Sequence, residues 1–283
     1  MAGAGLIAIK RRIKSVTNTK KITKAMGLVA TSKLKRSRGQ MAIVEEYHES
    51  LEKTTETILN ALETKDHSFI KGNKSDKKLY IILTSDTGLC GGYNGSIISS
   101  AIDKIREDKE NSLIIIVGQK GRGYIKKSAI DTIAEYVEIP DIPTIKESGT
   151  IFNHAIKLYS NEEVGEVNVV YNKFISPVKQ LPIVERILPL NIEEAEFKDD
   201  LIIEPSPKAI AEDIMLMYLK SKIYLCMMSG KCSEHSARMT AMDGATKNAN
   251  DILDKLKLKY NRIRQSAITQ EISEIVGGAE AQK

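Results

Sequence analysis

The chain has 283 residues, of which 42% are hydrophobic and only 5% aromatic, with no tryptophan. That balance suits a water-exposed globular protein built largely from long helices, and the net charge of +5 is too small to define a partner by itself. Three cysteines (Cys90, Cys226, Cys232) form no disulfide framework and point to a reducing compartment.

All seven prolines lie between Pro140 and Pro207. Proline costs about 3 kcal/mol inside a helix, so both ends of the chain are free to be long helices. Residues 4–62 are expected to form one, with Gly27 and Gly39 as the places for a bend. A stripe at steps of three and four runs through Ile9, Ile13, Val16, Ile22, Met26, Val29, Ile43, Tyr47, Leu51, Thr54 and Ile58. The first forty residues hold eleven Lys and Arg and no Asp or Glu. Such a basic rod lies on nucleic acid, docks on an acidic protein surface, or is simply a solvated face. The absence of mixed signs favours a partner.

A polar, turn-rich stretch, 63–76, is expected to be a linker. Beyond it the pattern changes to short apolar runs, Lys78–Thr84 and Leu113–Val117, with a helical segment Asn94–Glu107 between them. This is a strand–helix–strand unit with a parallel crossover. A short helix and a strand are expected within 125–137, a helix over Lys146–Tyr159, and two strands over Val167–Phe174 and Leu181–Leu188 joined by a hairpin. The predicted organisation is an N-terminal coiled-coil helix (1–62), an α/β domain (77–190) and a C-terminal coiled-coil helix (207–283).

Residues 191–203 are acidic and irregular. Ser206 is then placed as an N-cap with Pro207 as the first helical residue. The last helix carries a seam of Met242, Ala245, Ala249, Ile252, Leu256, Ile263 and Ala267. Roughly seventy residues make a rod of about 100 Å, which needs a partner along its length. The expected fold is therefore mixed α+β and α/β: a long antiparallel coiled coil of the terminal helices with an inserted Rossmann-like α/β domain.

The glycine-rich stretch SDTGLCGGYNGS (85–96) follows a strand and precedes a helix. Its spacing is not that of a dinucleotide or P-loop fingerprint. It is a phosphate cradle, a tight turn, or an exposed loop that meets a partner. Cys226, Cys232 and His235 match no standard zinc spacing. The four histidines sit in separate segments, and no nucleophile has a nameable base. No catalytic residue, cofactor or metal is expected. The N-terminal residues lack the central apolar run of a signal peptide, and no segment approaches the ~18 apolar residues of a membrane span.

The segments KITKAMGLVATSKLKRSR (21–38), SDTGLCGGYNGS (85–96) and SARMTAMDGATKNANDILDKLKLKYNRIRQSAITQEISEIVGG (236–278) resemble the gamma-subunit family of bacterial F-type ATP synthases. The resemblance spans essentially the whole chain. It implies a non-catalytic rotor shaft whose partners are the alpha and beta subunits, the epsilon subunit and the c-ring, with no nucleic acid. It places the chain on the cytoplasmic face of the bacterial plasma membrane, held peripherally through the complex. Contacts with beta are implied for Lys21, Lys24, Met26, Lys33 and Arg36 in the basic helix and for Arg264, Gln265 and Thr269 in RQSAITQE. Leu201, Ile203 and Glu204 fall at the foot that meets the c-ring and epsilon. Of the readings of the glycine stretch, the partner loop is the one expected, with Asp86, Gly88, Cys90, Gly91 and Gly92 as its residues. Thr87 stands where the family commonly has Arg, and Gly27 where a larger residue is usual. The cysteine-bearing insert of the chloroplast form is absent, so no thiol switch is expected.

Overall fold

The computed structural model describes residues 2–62, 66–127, 132–191 and 203–280. The described elements run α1 (Ala2–Asn60), α2 (Ser68–Lys71), β1 (Lys78–Leu83), α3 (Tyr93–Glu107), β2 (Ser112–Val117), α4 (Gln119–Lys127), β3 (Ala134–Tyr136), α5 (Ile145–Ser160), β4 (Glu166–Ser176), β5 (Lys179–Leu188) and α6 (Pro207–Glu280). The chain divides into two compact units, Met1–Val29 with Met239–Lys283, and Ala30–Arg238.

Unit Ala30–Arg238 is organised by a five-stranded sheet of order β3-β2-β1-β4-β5. β1 runs parallel to β2 and β4, β2 parallel to β3, and β5 closes the far edge antiparallel to β4. The central strands are apolar on both faces because both are covered. Leu79, Ile81 and Leu83 face Ile151 and Phe152 of α5 and Met215, Leu219 and Ile223 of α6. Tyr80 and Ile82 face the other way, onto Ile97, Ile98, Ala101 and Ile105 of α3. Pro177 and Val178 make the two-residue hairpin between β4 and β5. The expected linker is only partly a linker. It contains α2, whose Phe69 is buried in the first of these cores and lies against Tyr159. The polar residues around this one aromatic concealed it.

α1 is an unbroken helix of 59 residues. Its shielded positions follow an alternation of four and three: Ile9, Ile13, Val16, Lys20, Thr23, Gly27, Ala30, Leu34, Ser37, Met41, Val44, His48, Leu51, Thr55 and Ile58. That is the heptad period of a coiled coil. The predicted stripe agrees at both ends and slips by one residue in the middle. Ile22, Val29, Ile43 and Tyr47 are exposed by about half or more, and Thr55, not Thr54, is buried. Around Ile22 and Val29 the seam is small or polar (Thr23, Gly27, Ala30), so a search for large apolar residues selected the wrong face there.

α6 begins as expected, with the Ala209 amide donating to Ser206 Oγ at 3.3 Å. Its C-terminal seam is Met242, Thr246, Ala249, Leu253, Leu256, Tyr260, Ile263 and Ala267. Leu253 is buried where Ile252 was expected, and Ile252 is 44% exposed. In the smaller unit, α1 and α6 pair antiparallel. Thr23 Oγ1 meets Thr246 Oγ1 at 2.8 Å, and Gly27 lies against Met242 one turn further along. In the larger unit the same two helices meet where His48 Nδ1 contacts Ser221 Oγ at 2.7 Å and its ring stacks on Tyr218.

Candidate interaction site

The glycine loop between β1 and α3 is held from inside the chain. Its first residue, Ser85, receives and donates hydrogen bonds with Thr87 and Asn94. Asp86 accepts the backbone N–H of Gln119, Glu138 and Ile139, each at 3.0 Å. The Arg238 guanidinium donates to the carbonyls of Thr87 and Gly88 and to the Thr87 hydroxyl. Cys90 is buried beside Asn94. Leu89 and Gly91 adopt positive φ, 62° and 57°, to turn the chain tightly. Asp86, Gly88 and Cys90 thus serve the turn itself, while Gly91 and Gly92 are exposed.

In open α/β sheets, ligands lodge beyond the carboxyl ends of the strands. Here α6 occupies that place. The buried Tyr93 hydroxyl donates to the Gly230 carbonyl at 2.9 Å, and burial pushes its phenol well above the ordinary range. The cleft that remains, lined by Thr84, Tyr93, Gly230, Lys231 and Glu234, has room for about one water. This geometry favours the tight turn over the phosphate cradle.

From Cys226 to Ser236, α6 is buried on every side. Such a helix should be apolar all round, yet this one carries Lys231, Glu234 and His235. Glu234, 2% exposed, bridges Lys231 at 3.2 Å and Arg238 at 2.8 Å. Lys231 also donates to the Ile139 carbonyl, and His235 Nε2 lies 3.5 Å from Asp141 Oδ1. The i,i+3 and i,i+4 spacings were visible in the chain, but such pairs ordinarily mark a solvated face. Cys226, Cys232 and His235 do not converge. Cys226 reaches Glu185, and burial, opposed by Arg38, pushes the Cys232 thiol up to about 12. No metal-binding group occurs among the described residues.

On α1, Lys21, Lys24 and Arg36 are exposed, and Met26 is half-buried. Lys33 is bound within the chain, its Nζ 2.7 Å from Asp141 Oδ2. Beside the free cations lie outward apolar side chains: Ile22 at 60%, Leu28 at 65% and Val29 at 54% exposure. Arg264, Gln265 and Thr269 are exposed on α6, where Thr269 Oγ1 donates to the Gln265 carbonyl. Ile203 packs at the edge of the sheet core and Glu204 is exposed. Leu201 lies outside the described residues.

A family model described as ATP synthase matches residues 5–282. A curated ATP synthase gamma chain from Clostridium botulinum (strain Hall) is 55% identical over 283 residues, covering all of both chains. One from Clostridium novyi (strain NT) is also 55% identical with full coverage of both. This chain belongs to the ATP synthase gamma chain family. A chain of the cryo-EM structure of Euglena gracilis mitochondrial ATP synthase (OSCP/F1/c-ring, rotational state 3) superposes with a TM-score of 0.73 at 18% identity, covering 99% of this chain and 95% of that one. The rotor of the same enzyme in rotational state 1 superposes with a TM-score of 0.67 at 17% identity, covering 94% and 99%. The fold is thus shared even where the sequences have diverged. Among the described residues, no helix is long and apolar enough to cross a membrane.

Proposed function

We propose that the chain is the non-catalytic central shaft of a bacterial F-type ATP synthase, coupling ion flow through the c-ring to ATP synthesis or hydrolysis in the alpha–beta hexamer. One observation carries this beyond family membership. From Thr23 to Ala30 the inward positions of α1 are small or polar (Thr23, Gly27, Ala30), while the larger Ile22, Leu28 and Val29 are exposed on the same stretch as Lys21 and Lys24. Apolar side chains exposed alongside cations on one helix suit a surface that meets a partner. An acidic, partly apolar sleeve of beta subunits answers both features.

In this proposal Lys21, Lys24, Met26 and Arg36 face beta, as do Arg264, Gln265 and Thr269 nearer the C-terminus. Leu201, Ile203 and Glu204 meet the c-ring and epsilon, and Gly91 and Gly92 are the part of the glycine loop open to a partner. The functional division follows the segments 1–62, 77–190 and 207–283. The complex sits on the cytoplasmic face of the plasma membrane, and the chain is peripheral to it.

The mechanism rests on asymmetry. A one-sided shaft touches equivalent beta subunits differently at each angle, and a conformational shift requires just such a difference in contact free energy. The deciding experiment is co-purification of the tagged chain with an alpha–beta hexamer in stoichiometric amount. Recovery of the chain alone from cells that contain the hexamer would defeat the proposal.

A further inference from the structure

The segment Glu138–Pro143, between β3 and α5, is gripped from three directions within unit Ala30–Arg238. From the β1–α3 loop, Asp86 accepts the amides of Glu138 and Ile139. From α6, Lys231 donates to the Ile139 carbonyl, Tyr224 donates to the Pro143 carbonyl at 3.1 Å, and His235 Nε2 faces the Asp141 carboxylate. From α1, Lys33 pairs with that same carboxylate, and Ser37 Oγ reaches the Asp141 carbonyl at 3.5 Å. Glu138 has a φ of 61°, a conformation that a non-glycine residue keeps only when its surroundings impose it.

We infer that Glu138–Pro143 is a latch that holds α1 and α6 in one rotational setting against the sheet, with Lys33 and Asp141 as its positioning pair. The expected role of Lys33 changes accordingly. Its ammonium acts inside the chain, while Lys21, Lys24 and Arg36 remain available to an outside acidic surface. The consequence for coupling rests on the shaft function proposed above. A shaft passes torque only if its helices do not roll against the body that is driven.

The test compares Lys33→Met, Asp141→Asn and the double variant in the whole complex, reconstituted in ion-tight vesicles, reading ions moved per ATP hydrolysed. The latch predicts that each single variant lowers the ratio, and by the same factor, because either change breaks the one ion pair. The double variant falls no further, because partners in one interaction are not additive. A loss with Lys33→Met alone, losses that multiply in the double variant, or no loss at all would overturn it. If a variant fails to assemble, the unmodified complex decides by hydrogen exchange. The amides of Glu138 and Ile139 stay protected through ATP turnover if the latch holds, and acceleration during turnover refutes it. If the unmodified chain does not join the hexamer, the shaft function falls on its own. The latch is then judged on the isolated full chain, where both single variants must speed exchange at Ile139 equally.

Discussion

Glu234 is the residue on which the burial of two cations depends. It is 2% exposed and shared by Lys231 and Arg238, the second of which also holds the glycine loop. Removing one member of a buried ion pair strands its partner and costs about 3–5 kcal/mol. Glu234→Gln should therefore lower the urea midpoint of the full chain strongly. Adding Lys231→Met, which removes one stranded charge, should restore part of the loss. The histidines set the pH response. His48 is held below its ordinary value of 6.5 chiefly by burial and then by Lys222, against Glu52 and Glu185. His235 is likewise lowered, first by burial, with Arg238 and Lys231 adding to it against Glu234 and Asp141. Both are neutral in the fold and take up protons more readily when unfolded. Their contribution to stability is complete above 6.5 and is lost as the pH falls from there toward their lower folded values. Urea midpoints across this interval should decline on acidification, and His48→Gln should flatten the decline.

At the scale of the element, the two long helices show why hydrophobic spacing alone mislocates a seam. Between Lys20 and Ser37 the inward positions of α1 include Thr23, Gly27 and Ala30, whose size allows α6 to come close. The larger Ile22, Leu28 and Val29 are left outside. Glycine in a helix interior still carries an entropic penalty. A Cβ added at Gly27 would lie 3.5 Å from Met242 Cβ, an ordinary contact. Gly27→Ala should thus raise stability by about 0.4–1 kcal/mol, measurable as a higher thermal midpoint. Gly121 is the contrasting case. A Cβ there would come within 2.5 Å of Thr84 Oγ1 and 2.7 Å of Ile116 Cδ1, so Gly121→Ala should lower the midpoint while Gly27→Ala raises it.

At the scale of the whole molecule, the proposed shaft function rests on exposed charge along the basic helix. Charge reversal at Lys21, Lys24 and Arg36 together should weaken coupling of ATP turnover to ion transport in the assembled complex. The unmodified complex should show a milder weakening as salt rises, because screening acts on exposed charges. Coupling indifferent to both treatments would remove the electrostatic role from the basic helix. The stability of the isolated chain should hardly change, since these side chains are exposed and surface substitutions usually stay within about 0.5 kcal/mol.

The distribution of proline, the change from helical to strand-length apolar runs, and the Ser206–Pro207 start signal are local properties, and they sufficed for the two terminal helices and the inserted α/β unit. Long motifs such as RQSAITQE and KITKAMG carried the family resemblance, and through it the contacts that remain proposals. The seam of α1, the burial of Glu234 and the internal engagement of Lys33 were decided by tertiary structure alone. Which face of a helix is inside depends on the size of the residues opposite, as at Gly27 and Met242. Whether a charge is solvated depends on what lies across from it, as Asp141 lies 108 positions along the chain from Lys33. Periodicity within one segment contains neither quantity, because both belong to pairs of segments brought together only by the fold.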